Sequence, residues 1–140
     1  VLKLIRAPEK FPYSRTDLHL LPAGTLGNQL IRMLDQKQLE LLPYYAKHDI
    51  KHLLLNYDTT DEGEVCLQCF MLGNGHISFP VLATVIFGMV TMPEYRSRFK
   101  EAYRRGKCRT AISGWDWFTL LDRPLEELIQ KIDQPILHLD

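Results

Sequence analysis

An all-α fold, a single-domain bundle of six or seven helices, is the fold class that the sequence predicts. Apolar residues recur at helical spacing in several segments, Pro and Gly separate these segments, and no β-type alternation continues for more than a few residues. A chain of 140 residues builds one sizeable core but not two. We therefore expect one helical domain over residues 1–140, with an irregular N-terminal arm over residues 1–23.

The first half of the chain predicts three helices after that arm. Helical spacing of Leu26, Leu30 and Leu34 predicts a helix over about 25–35. Pro43 fits the first turn of the next helix, which we expect to reach about Asn56. Residues 58–61 supply turn and N-cap chemistry for a third helix, which runs to about residue 72.

The second half predicts a strongly apolar helix over 81–92 after Pro80, a basic helix from Pro93 to about residue 105, and a last helical region over 115–132, broken near Pro124. Since the segment from Phe79 to Met92 is apolar on every side, we expect it to be the buried central helix of the bundle. The alternative is that it forms the wall of a tunnel for an isoprenoid tail.

Composition favours a soluble protein of a reducing compartment. Seventeen basic and seventeen acidic residues cancel, so overall charge argues neither for nor against a nucleic-acid partner. Three cysteines form no regular disulfide framework, and Cys66-x-x-Cys69 is best explained by two small buried side chains. The sequence has no recognisable secretory signal, and its longest apolar stretch is too short to cross a bilayer. These observations predict a cytoplasmic location.

Candidate ligands for a divalent metal ion lie close together on the predicted helix 43–56. His48 and His52 are four residues apart, so their side chains share one face at a span that a single ion can bridge. Asp49 lies within about 100° of the same arc. Glu64 follows His52 after eleven intervening residues, and a short turn would fold its helix back beside them. Imidazole and carboxylate ligands suit zinc, with iron and manganese as alternatives.

Each of these residues also has a simpler explanation. Histidine pairs at this spacing often bind nothing. Glu64 fits the third position of a helix capped by Asp61, where its charge would favour the helix N-terminus. Asp49 could be solvated or paired with Lys47 or Lys51.

The complete spacing resembles a known family. His48-Asp49-x-x-His52, eleven residues and then Glu64, preceded by Gly63, is similar to the signature of the coenzyme Q (ubiquinone) biosynthesis family known as Coq-four. The similarity continues in the Gly-Thr-Leu-Gly segment at 24–27, in Ala-x-x-x-Gly at 102–106, and in the Trp-Asp-Trp and Pro-Leu-Glu-Glu-Leu sequences at 115–117 and 124–128. It covers roughly residues 20–132.

The resemblance implies an all-helical zinc protein with His48, Asp49, His52 and Glu64 as ligands. It also implies prenylated quinone precursors as substrates, peripheral attachment to the inner face of a membrane, removal of the ring carboxyl group, and a role in organising the other biosynthetic enzymes. The sequence departs from the family pattern at Lys51, where an aromatic residue is usual, and again in the segments 53–56 and 67–70. We expect Asn56, one turn beyond His52, to support the ligands from an outer shell.

A basic run forms a second candidate site. Its predicted contacts with lipid head groups or phosphates involve the cations Arg96, Arg98, Lys100, Arg104 and Arg105, with Lys107 and Arg109 next to them. A solvated helix face is the usual explanation of such a run. Nucleic acid is a poor fit because few aromatic residues lie between the cations.

Two other functions remain open. In the first, the protein is a non-catalytic lipid-binding scaffold whose metal joins two helices. In the second, it is a His-Asp phosphohydrolase with His48 and Asp49 as the central pair and His19 and Asp116 as outlying ligands. The protein partners compatible with the sequence are a second copy of the chain and a biosynthetic complex.

Overall fold

The computed structural model describes residues 10–134 and confirms the all-α fold class. Its helices are α1 (Arg15–Leu20), α2 (Leu26–Gln36), α3 (Ala46–Leu55), α4 (Asp61–Gly73), α5 (Phe79–Thr91), α6 (Arg96–Lys107) and α7 (Leu125–Asp133). Two 3₁₀ turns, Pro93–Tyr95 and Trp117–Thr119, precede α6 and α7. No helix within the described residues has both the length and the apolar character required to cross a membrane.

The prediction of an irregular arm over residues 1–23 was wrong for its second half. Residues 1–9 lie outside the described part, but α1 occupies Arg15–Leu20. Ser14 accepts a hydrogen bond from the Asp17 amide, and the Asp17 carboxylate accepts one from the Ser14 amide. This capping box stabilises a helix too short to show periodicity, and Leu18 anchors it in the core.

The start of α2 is joined to the far end of the chain. Thr25 caps the helix, and the amides of Leu26 and Gly27 donate to the carbonyls of Arg123 and Leu121 at 2.9 and 2.8 Å. The Leu125 amide returns a hydrogen bond to the Gly24 carbonyl. The segment before α7 therefore satisfies helix-end amides that otherwise lack a partner.

Helices α3 and α4 bring the candidate ligands together. α3 begins at Ala46 rather than at the predicted Pro43, since residues 43–45 form a turn. Asn56 ends α3 with a left-handed backbone (φ 58°, ψ 42°), which reverses the chain toward α4. Thr60 caps α4 by accepting from the Gly63 amide. Gly63 packs directly on the Asp58 carbonyl, where a Cβ atom would overlap it, so only glycine permits this close turn.

The prediction that residues 81–92 form a buried central helix was also wrong. α5 lies at the surface, and only Val81 and Gly88 are buried. Its outer face exposes large apolar side chains, among them Phe79, Leu82, Ile86, Phe87 and Val90. A helix that is apolar on every side is expected to be covered by a partner on each side. The sequence does not show whether those partners belong to the same chain.

Helices α4 and α6 pack closely because glycines lie where they cross. A Cβ atom at Gly106 would overlap the carbonyl of Phe70, and one at Gly73 would overlap the carbonyl of Tyr103. Just beyond α4, the buried Asn74 side chain donates to the Gly106 and Thr110 carbonyls and accepts from the Ile112 amide. Asn74 thereby holds the segment that follows α6.

The predicted helical region at 115–132 is shorter in the structure, which has only a 3₁₀ turn and α7 there.

Candidate metal centre

The side chains of His48, His52 and Glu64 meet between α3 and α4. His48 Nε2 lies 2.7 Å from Glu64 Oε2, and His52 Nε2 lies 2.9 Å from Glu64 Oε1. The two Nε2 atoms are 3.1 Å apart. Because α3 places the histidines one turn apart and residues 56–60 form a short connection, both imidazoles face the start of α4.

The backbone fixes which nitrogen of His52 points toward this cluster. His52 Nδ1 donates a hydrogen bond to the Tyr57 carbonyl at 2.8 Å, and a carbonyl oxygen can only accept. In the neutral ring, Nε2 then carries the lone pair and faces the Glu64 carboxylate. Two acceptors at 2.9 Å repel each other unless a proton or a metal cation lies between them. The arrangement is that of a histidine ligand oriented by an outer-shell carbonyl.

Electrostatics favours an ionised carboxylate at this point. Partial burial alone would raise the pKa of Glu64, but hydrogen bonds from His48 and His52 outweigh it and lower the pKa to about 2. Burial opposes protonation of His52, yet its hydrogen bonds to Glu64 and Tyr57 raise its pKa. The cluster thus attracts positive charge while Glu64 keeps its negative charge near neutral pH.

The spacing of the three residues fits a single metal ion. Their ligand atoms all lie within 4.8 Å of one another. Two bonds of about 2.0–2.1 Å at a tetrahedral angle separate ligand atoms by about 3.3 Å. The observed separations of 2.7, 2.9 and 3.1 Å require only a small expansion to reach that value. His48, His52 and Glu64 could therefore hold a metal ion.

The other predicted members of the site lie at its edge. Asp49 is buried, and burial raises the pKa of its carboxyl group, although the His48 and His52 charges oppose that rise. It stands outside the group of mutually close ligand atoms. Across residues 10–134 it forms no ion pair with Lys47 or Lys51. Asn56 is exposed in its left-handed turn, and the Tyr57 carbonyl contacts His52 instead.

Two tyrosines of this site did not stand out in the sequence. The ring of Tyr45 stacks on the His48 imidazole with centroids 4.6 Å apart and is half exposed at the rim. Burial and the nearby Glu64 and Asp49 charges raise the pKa of Tyr45. Tyr57 contributes through its carbonyl, which every residue possesses, so no sequence signal marks that contact.

The structure separates the outlying ligands of the phosphohydrolase hypothesis from this cluster. His19 pairs with Asp35 at 3.1 Å between α1 and α2, and Asp116 is exposed ahead of the second 3₁₀ turn. Neither belongs to the group of close ligand atoms. Glu64 is not a capping residue either, because Thr60 rather than Asp61 caps α4.

The fold and the site together define a class, an all-α protein with a two-histidine, one-carboxylate centre between consecutive helices. The profile of the family described as coenzyme Q (ubiquinone) biosynthesis protein Coq4 matches residues 41–135. The chain belongs to this family.

A solved structure agrees with that assignment. The crystal structure at 2.85 Å resolution of a protein from Nostoc punctiforme PCC 73102, named for ubiquinone biosynthesis, superposes with a TM-score of 0.74. It is 25% identical in sequence, and the alignment covers 89% of this chain and 69% of that one. None of the curated proteins is significantly similar to this chain in sequence.

Proposed function

We propose that the protein is a zinc-dependent member of ubiquinone biosynthesis that binds a prenylated aromatic acid and assists removal of its ring carboxyl group. The observation that carries the proposal is the convergence of His48, His52 and Glu64 within 4.8 Å, inside the segment that matches the family. Imidazole and carboxylate ligands suit zinc best, and iron or manganese are the alternatives.

The chain supplies an open site of suitable chemistry. A bound zinc ion would polarise a carboxylate or carbonyl oxygen of the substrate as a Lewis acid. The side chains of His48 and Glu64 are 19% and 32% exposed, so one side of the cluster is accessible to a substrate. Tyr45 adds an aromatic surface at that opening. Asp49 is the proposed fourth ligand, since a cation would offset the cost of ionising a buried carboxyl group.

The region around α5 supports a lipid-bound substrate. A largely apolar cavity of about 480 Å³ lies between α4, α5 and α6, with Cys69, Val85, Met89 and Phe99 in its wall. Lys100, Arg104 and Lys107 line the same cavity. Apolar walls beside cations suit an isoprenoid tail and the anionic surface of a membrane. Peripheral attachment through α5 and α6 is part of the proposal.

Isothermal titration calorimetry with zinc tests the metal proposal. We expect the chelator-treated protein to take up one zinc ion per chain. Glu64→Gln should weaken uptake by about a hundredfold or more, because replacing an ionised ligand by a neutral amide should cost at least as much as the loss of an outer-shell partner, which is roughly 10–100-fold. Glu62→Gln, two residues away and outside the cluster, is the matched control. Equal affinities in both variants, or no uptake by the unmodified chain, would reject the site.

The catalytic part requires a separate measurement. Release of carbon dioxide from a prenylated hydroxybenzoate should depend on zinc in the unmodified protein and be lost in Glu64→Gln while circular dichroism shows the variant folded. A zinc-loaded protein that binds the lipid without releasing carbon dioxide contradicts catalysis and leaves the metal site intact.

A non-catalytic scaffold is the second candidate, favoured by the fact that the ligands join two helices. A metal bound by His48 and His52 of α3 and Glu64 of α4 would hold these helices together. On this hypothesis, Glu64→Gln lowers the thermal midpoint while lipid binding by the folded fraction is unchanged.

A further inference from the structure

A second cavity, of about 530 Å³, lies beside α6 on another side of α4 from the metal centre. Four arginines line it, Arg98, Arg104, Arg105 and Arg109. Glu101 is the one carboxylate in its lining, and the rest of the wall includes Tyr57 and Cys66. We refer to it as the arginine pocket. Arg98 and Arg105 are seven residues apart and share one face of α6, Arg104 lies on the neighbouring face, and Arg109 follows in the segment after the helix.

Arg105 is held in place before any ligand arrives. Its guanidinium donates to the Leu55 carbonyl at 2.7 Å and pairs with Asp133 at 3.3 Å. It also lies over the rings of Tyr57 and Phe70, with its central carbon 5.5 and 5.2 Å from their centroids. A cation fixed by stacking and hydrogen bonds loses little conformational freedom when it binds an anion.

The other arginines retain free donors. Arg109 Nε is buried without a hydrogen-bond acceptor, because Asp133 lies 3.6 Å away and is beyond hydrogen-bond reach. Arg98 and Arg104 form no ion pair with any residue of the described part of the chain. A buried donor that lacks an acceptor costs free energy, so a small movement of Arg109 that brings this donor to an anion would be favourable.

We propose that the arginine pocket binds a phosphate group, either free in solution or at the head of a lipid. Guanidinium forks match phosphate oxygens in pairs, and a phosphate monoester carries about −1.5 to −2 charges at neutral pH. The four arginines, with Glu101 in the lining and Asp133 beside Arg105 and Arg109, leave two positive charges in excess, which a phosphate monoester balances more closely than a single carboxylate ligand does. Arg104 also lines the apolar cavity between α4, α5 and α6, so a lipid chain attached to the phosphate has an adjacent place to lie.

This site is distinct from the metal centre and does not depend on it. Cys66 follows Glu64 by two residues, so the two side chains leave α4 about 200° apart. Tyr57 connects the two regions, because its carbonyl accepts from His52 while its ring lies under Arg105. Because the lining of the arginine pocket contains none of His48, His52 and Glu64, phosphate binding is nevertheless expected with or without metal.

The proposal is tested by NMR of the arginine side chains. In the ¹⁵N-labelled chain, the Nε–H signals of Arg105 and Arg109 are followed during titration with inorganic phosphate and, separately, with dihexanoyl phosphatidic acid. Sodium chloride at matched ionic strength corrects for screening. We expect saturable shifts with phosphate or the lipid and none with chloride. Arg98→Gln combined with Arg109→Gln should weaken binding by about tenfold or more.

Arg32→Gln combined with Lys10→Gln is the control, because it also removes two positive charges, from exposed positions outside the pocket lining. Equal affinity for inorganic phosphate and phosphatidic acid assigns a soluble phosphate ligand. Tighter binding of the lipid, with shifts at Val85 and Leu72, assigns a lipid head group. Shifts that do not saturate, or that persist undiminished in the double variant, overturn the proposal by showing unspecific screening of a basic surface.

Discussion

At the scale of single residues, the candidate metal centre depends on which atoms face one another. The Tyr57 carbonyl orients His52 so that its other nitrogen meets the Glu64 carboxylate at 2.9 Å. The spacing of His48, His52 and Glu64 was sufficient to predict that they converge. The orienting carbonyl and the stacked Tyr45 could not be predicted, because neither depends on a side-chain pattern that distinguishes a site.

Asn56 gives a residue-scale test of the two roles available to it. If it only ends α3 in a left-handed conformation, Asn56→Gly should leave both stability and zinc affinity within a few tenths of a kcal/mol. Asn56→Ala should cost about 1 kcal/mol of unfolding free energy, because alanine tolerates that conformation poorly. Urea unfolding and zinc titration check both values. A tenfold loss of zinc affinity in Asn56→Gly would instead support an outer-shell role.

The three cysteines should differ in reactivity. Burial, with a smaller effect from Cys66, raises the pKa of Cys69 to about 12, and burial likewise raises the pKa of Cys66. Cys108 is exposed. Since the thiolate is the reactive species, iodoacetamide at pH 8 should add one group per folded chain, at Cys108. Mass spectrometry gives the count, and all three should react in urea. Modification of Cys69 in the folded chain would contradict its placement.

At the scale of helices, the contact between α4 and α6 depends on glycine. The added Cβ of Gly106→Ala would overlap the Phe70 carbonyl, which is backbone and cannot turn away. We expect a loss of about 2 kcal/mol or more in unfolding free energy, typical of overpacking at a closely packed contact. Gly114→Ala is the control, because nothing lies within 4 Å of its added Cβ. Similar stabilities of the two variants by urea unfolding would show that the helices separate easily.

The helices differ in how well the sequence predicts them. α2 followed from apolar spacing, and α4 and α6 followed from the cap and breaker residues at their ends. The six residues of α1 are fewer than two turns, so only its capping box could have revealed it. α5 was predicted in its position but not in its surroundings. Its composition is that of a core helix, and composition alone does not distinguish a buried helix from one with an exposed apolar face.

At the scale of the whole molecule, the exposed face of α5 beside the cations of α6 is the surface that we propose for membrane contact. Ile86 and Phe87 are 62% and 61% exposed there. Ile86→Ser with Phe87→Ser should reduce binding to anionic vesicles by about tenfold or more, since each side chain contributes about 1.5 kcal/mol or more when buried. Stability should barely change, because neither side chain is part of the core.

Leu20→Ser provides the control for that vesicle experiment. Leu20 is 79% exposed on α1, so it matches the chemistry but not the location. Flotation of the protein with phosphatidylglycerol vesicles measures binding. If Leu20→Ser lowers binding as much as the double variant, contact is not confined to α5, and the proposed orientation on the membrane is incorrect.

The hydrogen bonds at the start of α2 determine when, during synthesis, the chain can complete its fold. Leu26 and Gly27 find their acceptors at Arg123 and Leu121, more than ninety residues later in the chain. A ribosome must therefore synthesise most of the protein before the first half can close, and until then those amides remain hydrated. Contacts of such separation slow folding. Nascent chains that stop before residue 121 should accordingly stay sensitive to protease near residues 22–27, even though every candidate metal ligand has already been synthesised.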